Sequence, residues 1–239
     1  MSRILSLYKK EIHHLFDGIL AYLCIFVFLL FVGGFSLFFQ DILQQATTSL
    51  QPLFFWSAIG FLFLVPALSM ASFSDENRTG SIEILMTLPL KNEDIVIGKY
   101  MSIVSVVFLA IFLTIPYPIA MSQFGVVDWG AVSCGYIGLF LLGCSYAAIG
   151  LCCSVSTSRH TTAFLATFSI CIIPFASGYA LHQVDSVLLP LVQYLSFDYH
   201  FSNLSRGILD SRDFIFYASV IGMFLHLCLF QLEQRRLQG

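Results

Sequence analysis

The sequence predicts an all-α membrane protein with six spanning helices, and three observations carry that prediction. The first is composition. Of 239 residues, 58% are apolar and 10% charged, against about 45–50% and about 25% in soluble domains. So few charges cannot cover a soluble surface of that size. The second is that the charged residues leave gaps long enough for spanning helices of about 20 residues each. The third is that the basic residues favour one set of connecting segments. Six spans occupy about half the chain, which excludes a large extramembrane domain, a nucleic-acid binder, a disordered tail and a soluble catalytic module.

Taken in order, residues 3–17 come first and carry two faces. Ile4, Leu5, Tyr8, Ile12, Leu15 and Phe16 recur at helical spacing, with Lys9, Lys10, His13, His14 and Asp17 on the other side. That pattern predicts a helix lying in the membrane interface, read as an anchor in preference to a cradle for a neighbouring helix or subunit. Adjacent histidines on a helix point about 100° apart, so His13 and His14 do not form a metal pair. The first span, 19–39, lies between Asp17 and Asp41. After a polar turn through Gln44, Thr47 and Pro52, the second runs over 53–73 up to Asp75. Lys99 and Asp128 bracket the third, 101–124, and Asp128 and Arg159 the fourth, 132–155. The fifth covers 162–181 and the sixth 214–232, between Asp213 and Glu233. The whole of 1–239 is then one transmembrane domain. Its first apolar stretch exceeds the about 7–15 residues of a signal-peptide core and ends in Phe38-Phe39-Gln40, so it is expected to remain as a membrane helix.

Six spans put both termini on one side. That side holds Arg3, Lys9, Lys10, Arg78, Lys91, Lys99, Arg159, Arg235 and Arg236, and the other only Arg206 and Arg212. The basic-rich side is expected to be cytoplasmic.

Inside the spans little is reactive. All seven cysteines fall there without a Cys-x-x-Cys pair or a histidine at ligand spacing, so they read as small apolar packing residues rather than a metal site. Gly143, Ala147, Gly150 and Ser154 form a small-residue face on span four, which permits close helix approach. Packing inside the bundle is the favoured reading, with a dimer seam as the alternative. Pro66, Pro116, Pro118 and Pro174 mark candidate kinks. His226 in span six is the clearest intramembrane ionisable residue, a candidate for a transport role or for a bond to a neighbouring helix. The scarcity of buried carboxylates argues against an ion-coupled carrier. The segment 182–213 is too long for a plain turn.

Residues 75–99 are the most informative stretch, holding eight charged residues in one loop. Gly80 and Ser81 are read as opening a short helix, with Glu83 in its first turn favouring the positive dipole end. Ile82, Leu85 and Met86 line one face, Pro89 stops the helix, and Asn92 is expected to cap the next one. The segment thus predicts an amphipathic helix across the cytoplasmic mouth of the bundle. Gly98-Lys99 is not a phosphate loop, because that pattern needs a glycine where Glu93 stands.

The run Glu76-x-Arg78-Thr79-Gly80-Ser81-Ile82-Glu83-x-Leu85-x-Thr87-x-Pro89, followed by Ile97-Gly98-Lys99, resembles the coupling segment of ABC-2-type transporter permeases. The resemblance is nearest to the subgroup around the gliding-motility-associated ABC permease. Gly80-Ser81 stands where Gly-Thr is commoner there, and Leu85-Met86 where Leu-Leu is commoner. Ser196 to Gly207, Asp210 to Tyr217 and the Leu232-Glu233-x-Arg235-Arg236 finish are also similar. The resemblance implies a permease subunit in a bacterial inner membrane that pairs with a second permease half, identical or paralogous. It implies that a separate ABC ATPase subunit, carrying the ATP and Mg, drives export through the coupling helix. It assigns coupling to Glu76, Arg78, Gly80, Ile82, Glu83, Leu85, Met86, Pro89, Gly98 and Lys99. Glu76 and Arg78 would fix the coupling helix to the membrane-proximal side. It also suggests a short re-entrant helix at Leu188 to Leu195. No catalytic residue, metal or cofactor is expected in this chain, and no nucleic-acid partner; the residues do not identify a substrate or its binding site. The competing readings are an intramembrane enzyme, for which Ser145 and His226 are the candidates, and a non-transporting membrane scaffold.

Overall fold

The computed structural model describes residues 2–38, 50–81, 91–123, 125–180 and 193–238, and among them there is no strand. The helices are α1 (Ser2–Asp17), α2 (Ile19–Phe38), α3 (Gln51–Ser69), α4 (Ala71–Thr79) and α5 (Asn92–Phe112). They continue with α6 (Pro116–Met121), α7 (Trp129–Ser156), α8 (His160–Ala180), α9 (Phe197–Ser205) and α10 (Ser211–Gln238). Six stretches are long and apolar enough to cross a membrane: Ile19–Ser36, Gln51–Thr79, Asn92–Met121, Trp129–Ser156, His160–Gly178 and Ser211–Arg235. The fold is the all-helical, six-span arrangement that the charge gaps predict.

α7 is the axis of the bundle, packed by α3, α5, α8, α9 and α10. Its small-residue face explains why. A Cβ on Gly143 would stand 2.6 Å from Val107 on α5 and 3.1 Å from Phe61 on α3, and one on Gly150 would stand 2.7 Å from the Cβ of Ser69. Ala147 and Ser154 are fully buried on the same face. The face therefore packs inside the bundle. Asp128 opens α7 as an N-cap, accepting from the amides of Gly130 (2.9 Å) and Ala131 (3.3 Å), which satisfies two of the free donors of the first turn. Five of the cysteines, Cys144, Cys152, Cys153, Cys171 and Cys228, are part of the core, in line with their packing role.

Two spans are interrupted. In the third, read as 101–124 with Pro116 and Pro118 as candidate kinks, α5 ends at Phe112 and the chain resumes as α6 at Pro116. Proline has no amide to donate and clashes with the carbonyl four residues earlier, which is that of Phe112. Pro66 and Pro174 are accommodated within α3 and α8. The second span is broken at Met70, between α3 and α4. α5 starts one residue away from the expected cap: Lys91 is the N-cap, and Asn92 is already helical.

α1 is more than an anchor. Tyr8 Oη lies 2.9 Å from Ser105 Oγ on α5, and a Cβ on Gly98 would meet Leu7 at 2.6 Å. Sequence periodicity shows that α1 has an apolar face but not what covers it, and much of that face is covered by α5. The re-entrant helix suggested for Leu188 to Leu195 lies mostly in residues 181–192, outside the described residues.

Candidate functional site: the joint at the base of α4

α4 extends the second span beyond the break at Met70 and leads to the segment that resembles a coupling helix. Its own N-cap, Met70, offers no side-chain acceptor. The free amides of its first turn are satisfied from another helix instead. Ser154 Oγ on α7 accepts from the amides of Phe73 (2.9 Å) and Ser74 (3.2 Å) and donates to the carbonyl of Met70 (3.1 Å). A side chain inserted into the helical ladder at this point accounts for the break.

Lys99 sits beneath α4 with its side chain 3% exposed. Nζ lies 2.9 Å from Glu76 Oε1 on α4 and 3.3 Å from Glu11 Oε1 on α1. It also donates to the carbonyl of Ser72 (2.6 Å) and stands 4.8 Å from the centre of the Phe73 ring. A buried ammonium is costly to desolvate, and it is tolerated here because carboxylates, a carbonyl and a ring face surround it. Removing one member of such a buried pair typically costs about 3–5 kcal/mol. One residue on, Asn77 donates Nδ2 to the carbonyls of Val155 (3.0 Å) and Thr157 (2.9 Å), which lie at the C-terminal end of α7 and have no helical partner of their own. Its Oδ1 accepts from Arg235 Nη1 on α10 (2.6 Å). His160 at the head of α8 binds Ser74 Oγ through Nδ1 (2.7 Å) and lies with Nε2 2.9 Å from Asp75 Oδ1. One short helix is thus tied directly to α5, α7, α8 and α10, and through Lys99 to α1. A cavity of about 460 Å³ opens beside it, lined among others by Lys10, Glu11, Asp75, Glu76 and Lys99.

Of the residues assigned to coupling, the structure brings Glu76 and Lys99 together as an ion pair and uses Gly98 as the seat of α1. Arg78 has a side chain 64% exposed, and among the described residues it pairs with Asp75, at 3.3 Å. The buried face of α4 runs through Phe73, Ser74 and Asn77, and Arg78 lies about 100° further round. Gly80 adopts φ 71° and ends α4 as its left-handed C-cap, a conformation that costs glycine little. It closes one helix before Ser81 resumes helical geometry. Ile82, Glu83, Leu85, Met86 and Pro89 lie outside the described residues.

Sequence reasoning missed Glu11, Asn77, Ser154 as a hydrogen-bonding group, His160 and the contact of Arg235. Asn77 occupies an unassigned position of the motif, and Ser154 reads as merely small. Glu11 alone carried a usable signal, as an acid among the basic residues of α1. His226 lies on the exposed side of α10, and among the described residues it has no hydrogen bond to a neighbouring helix. Among the described residues no group of three or more His, Cys, Asp or Glu is placed to hold a metal ion. The joint holds neighbouring helices to one another, and its chemistry is that of a mechanical connection.

Six helices long and apolar enough to cross a membrane, one of them buried as the axis, are the architecture of a multi-pass membrane protein. The sequence matches the description "ABC-2 family transporter protein" over residues 6–230. The chain therefore belongs to the ABC-2 family of transporter proteins. No curated protein matches it.

Proposed function

We propose that this chain is the membrane half of an ABC exporter, driven by a separate ATP-hydrolysing subunit that docks on the segment 82–90. The observation that carries this reading is the joint at α4, the helix that stands immediately before that segment and is tied to α5, α7, α8 and α10, and through Lys99 to α1. A force applied at 82–90 then reaches the bundle through α4 as a unit. ATP and Mg belong to the partner chain, which binds and hydrolyses the nucleotide. The apolar residues Ile82, Leu85 and Met86 contact the motor, Glu83 caps or ion-pairs, and Gly80 and Pro89 bound the coupling helix. The basic-rich side, with both termini, faces the cytoplasm of a bacterial inner membrane. A second permease half, the same chain or a paralogue, completes the pathway. The 75–99 motif supports placement near the gliding-motility-associated subgroup.

The test is co-purification with an ABC ATPase subunit, followed by reconstitution. Leu85→Asp is expected to abolish the association while the permease still accumulates in the membrane. Glu76→Gln retains a hydrogen-bonding group for Lys99 but removes a charge, and is expected to keep association while lowering transport per ATP hydrolysed several-fold. Absence of any ATPase partner, or association and transport that neither substitution alters, overturns the assignment.

A further inference from the structure

α8 reaches α4 through its first residue, His160, whose side chain is 32% exposed. Nδ1 lies 2.7 Å from Ser74 Oγ and Nε2 lies 2.9 Å from Asp75 Oδ1, so one ring spans two successive residues of α4. Ser74 is fully buried, and its hydroxyl donates to the carbonyl of Met70. A serine has a single hydrogen to give, so with that hydrogen on Met70 its oxygen accepts from the ring. The carboxylate of Asp75 has no hydrogen to give and also accepts. The ring therefore faces an acceptor at each nitrogen. An imidazole that donates from both nitrogens is the protonated form, since a neutral ring donates from only one.

The charge of that form is both opposed and offset by its surroundings. Arg159, one residue earlier, opposes it, as do the positive end of the α8 dipole and Arg78, which shares Asp75 Oδ1 at 3.3 Å. Asp75 offsets it, while Glu76, next along α4, is turned to Lys99. α3, which also packs on α8, has no ionisable side chain. In the last two turns of α7 the ionisable side chains are the thiols of Cys152 and Cys153, and the ring is hydrogen-bonded to neither. Asp198 and His200 on α9 lie toward the other end of α8, with Asp198 beside Gly178. Of the side-chain types that tie α4, an imidazole is the one that changes charge between about pH 5 and 8. The exposed edge of the ring gives its proton a route to water.

We propose that His160 is a proton-operated latch between α4 and α8. With its second proton the ring holds Ser74 and Asp75 at once. When that proton passes to solvent, Nε2–H keeps Asp75 as an uncharged donor. Nδ1 is then a bare acceptor, and it regains Ser74 only if that hydroxyl abandons Met70. Either way the junction loses one hydrogen bond and its ion pair. Ser154, Asn77 and Lys99 still tie α4 to α7, α10 and α5. A rise in pH thus loosens α8 alone from the joint. The latch depends on neither the motor subunit nor the segment 82–90.

The experiment uses the full chain in detergent with isotope-labelled histidine, and combines nitrogen NMR with reversible unfolding. At about pH 6 both ring nitrogens of His160, assigned by their loss in His160→Gln, are expected to carry a proton. The latch favours the proton in the folded chain, so its stabilisation is present on the acid side and lost as pH rises. Between about pH 6 and about pH 8.5 the unfolding constant of the wild type is expected to rise about two- to fivefold more than that of His160→Gln, the range for a partly exposed ion pair. Asp75→Asn removes the partner charge from a side chain 36% exposed and should flatten the response equally. It keeps the test open if His160→Gln fails to fold. The other histidines remain in each variant, so their share of the response cancels. A single protonated ring nitrogen at about pH 6, or a full wild-type pH response in either variant, overturns the latch.

Discussion

α7 and α10 are equally long, and their most apolar 18 residues have the same mean hydropathy, yet 83% of that stretch is buried in α7 and 17% in α10. In water such a difference would be read from apolar content. In a bilayer it cannot be, because lipid is as apolar as a protein core and gives no reward for hiding leucine. Side-chain size separates the two. α7 presents Gly143, Ala147, Gly150 and Ser154 to its neighbours, whereas α10 presents Ile215, Met223 and Phe230 outward, each more than half exposed. The helix that others can approach becomes the axis, and the bulky one is left at the rim.

The comparison can be broken at its tightest point. Gly150→Leu drives a side chain into Ser69 and Thr167, and is expected to destabilise the bundle by about 3 kcal/mol, the upper end of overpacking costs. Reversible unfolding in detergent checks it, and wild-type stability would show that α7 is not the packed axis. A smaller loss, about 1–3 kcal/mol, is expected for Ser154→Ala, which leaves the amides of Phe73 and Ser74 without their acceptor. Amide hydrogen exchange should rise at those two positions before it rises in α10. The least effect belongs to Gly222→Ala on α10, where an added Cβ meets nothing within 4 Å. It is expected to be neutral or stabilising by up to about 0.5–1 kcal/mol, from helix propensity alone. A loss as large as that of Gly150→Leu would mean that the outer face of α10 is occupied by another chain.

Much of this was legible in the residues. The gaps between Asp17, Asp75, Lys99, Asp128, Arg159 and Asp213 located the spans, because charge is excluded from hydrocarbon whatever the packing. The face from Gly143 to Ser154 predicted close packing. The breaks were less legible: Pro116 marked one, but the break at Met70 depends on Ser154, 84 residues away. In the joint, Glu76 and Lys99 stood out by charge, and the structure pairs them. Arg78 stood out equally and faces away, and Asn77 carried no signal although it bridges α7 and α10.

The sequence by itself determined that the chain carries six segments apolar enough to span a membrane and which segments between them are charged, since both follow from transfer energies summed along the chain. Only the tertiary structure decided which spans lie inside, which acids meet Lys99, and that His200 and Asp213 pair out of contact with solvent. Those outcomes depend on distances between residues far apart in the chain. Local composition and periodicity do not encode such distances.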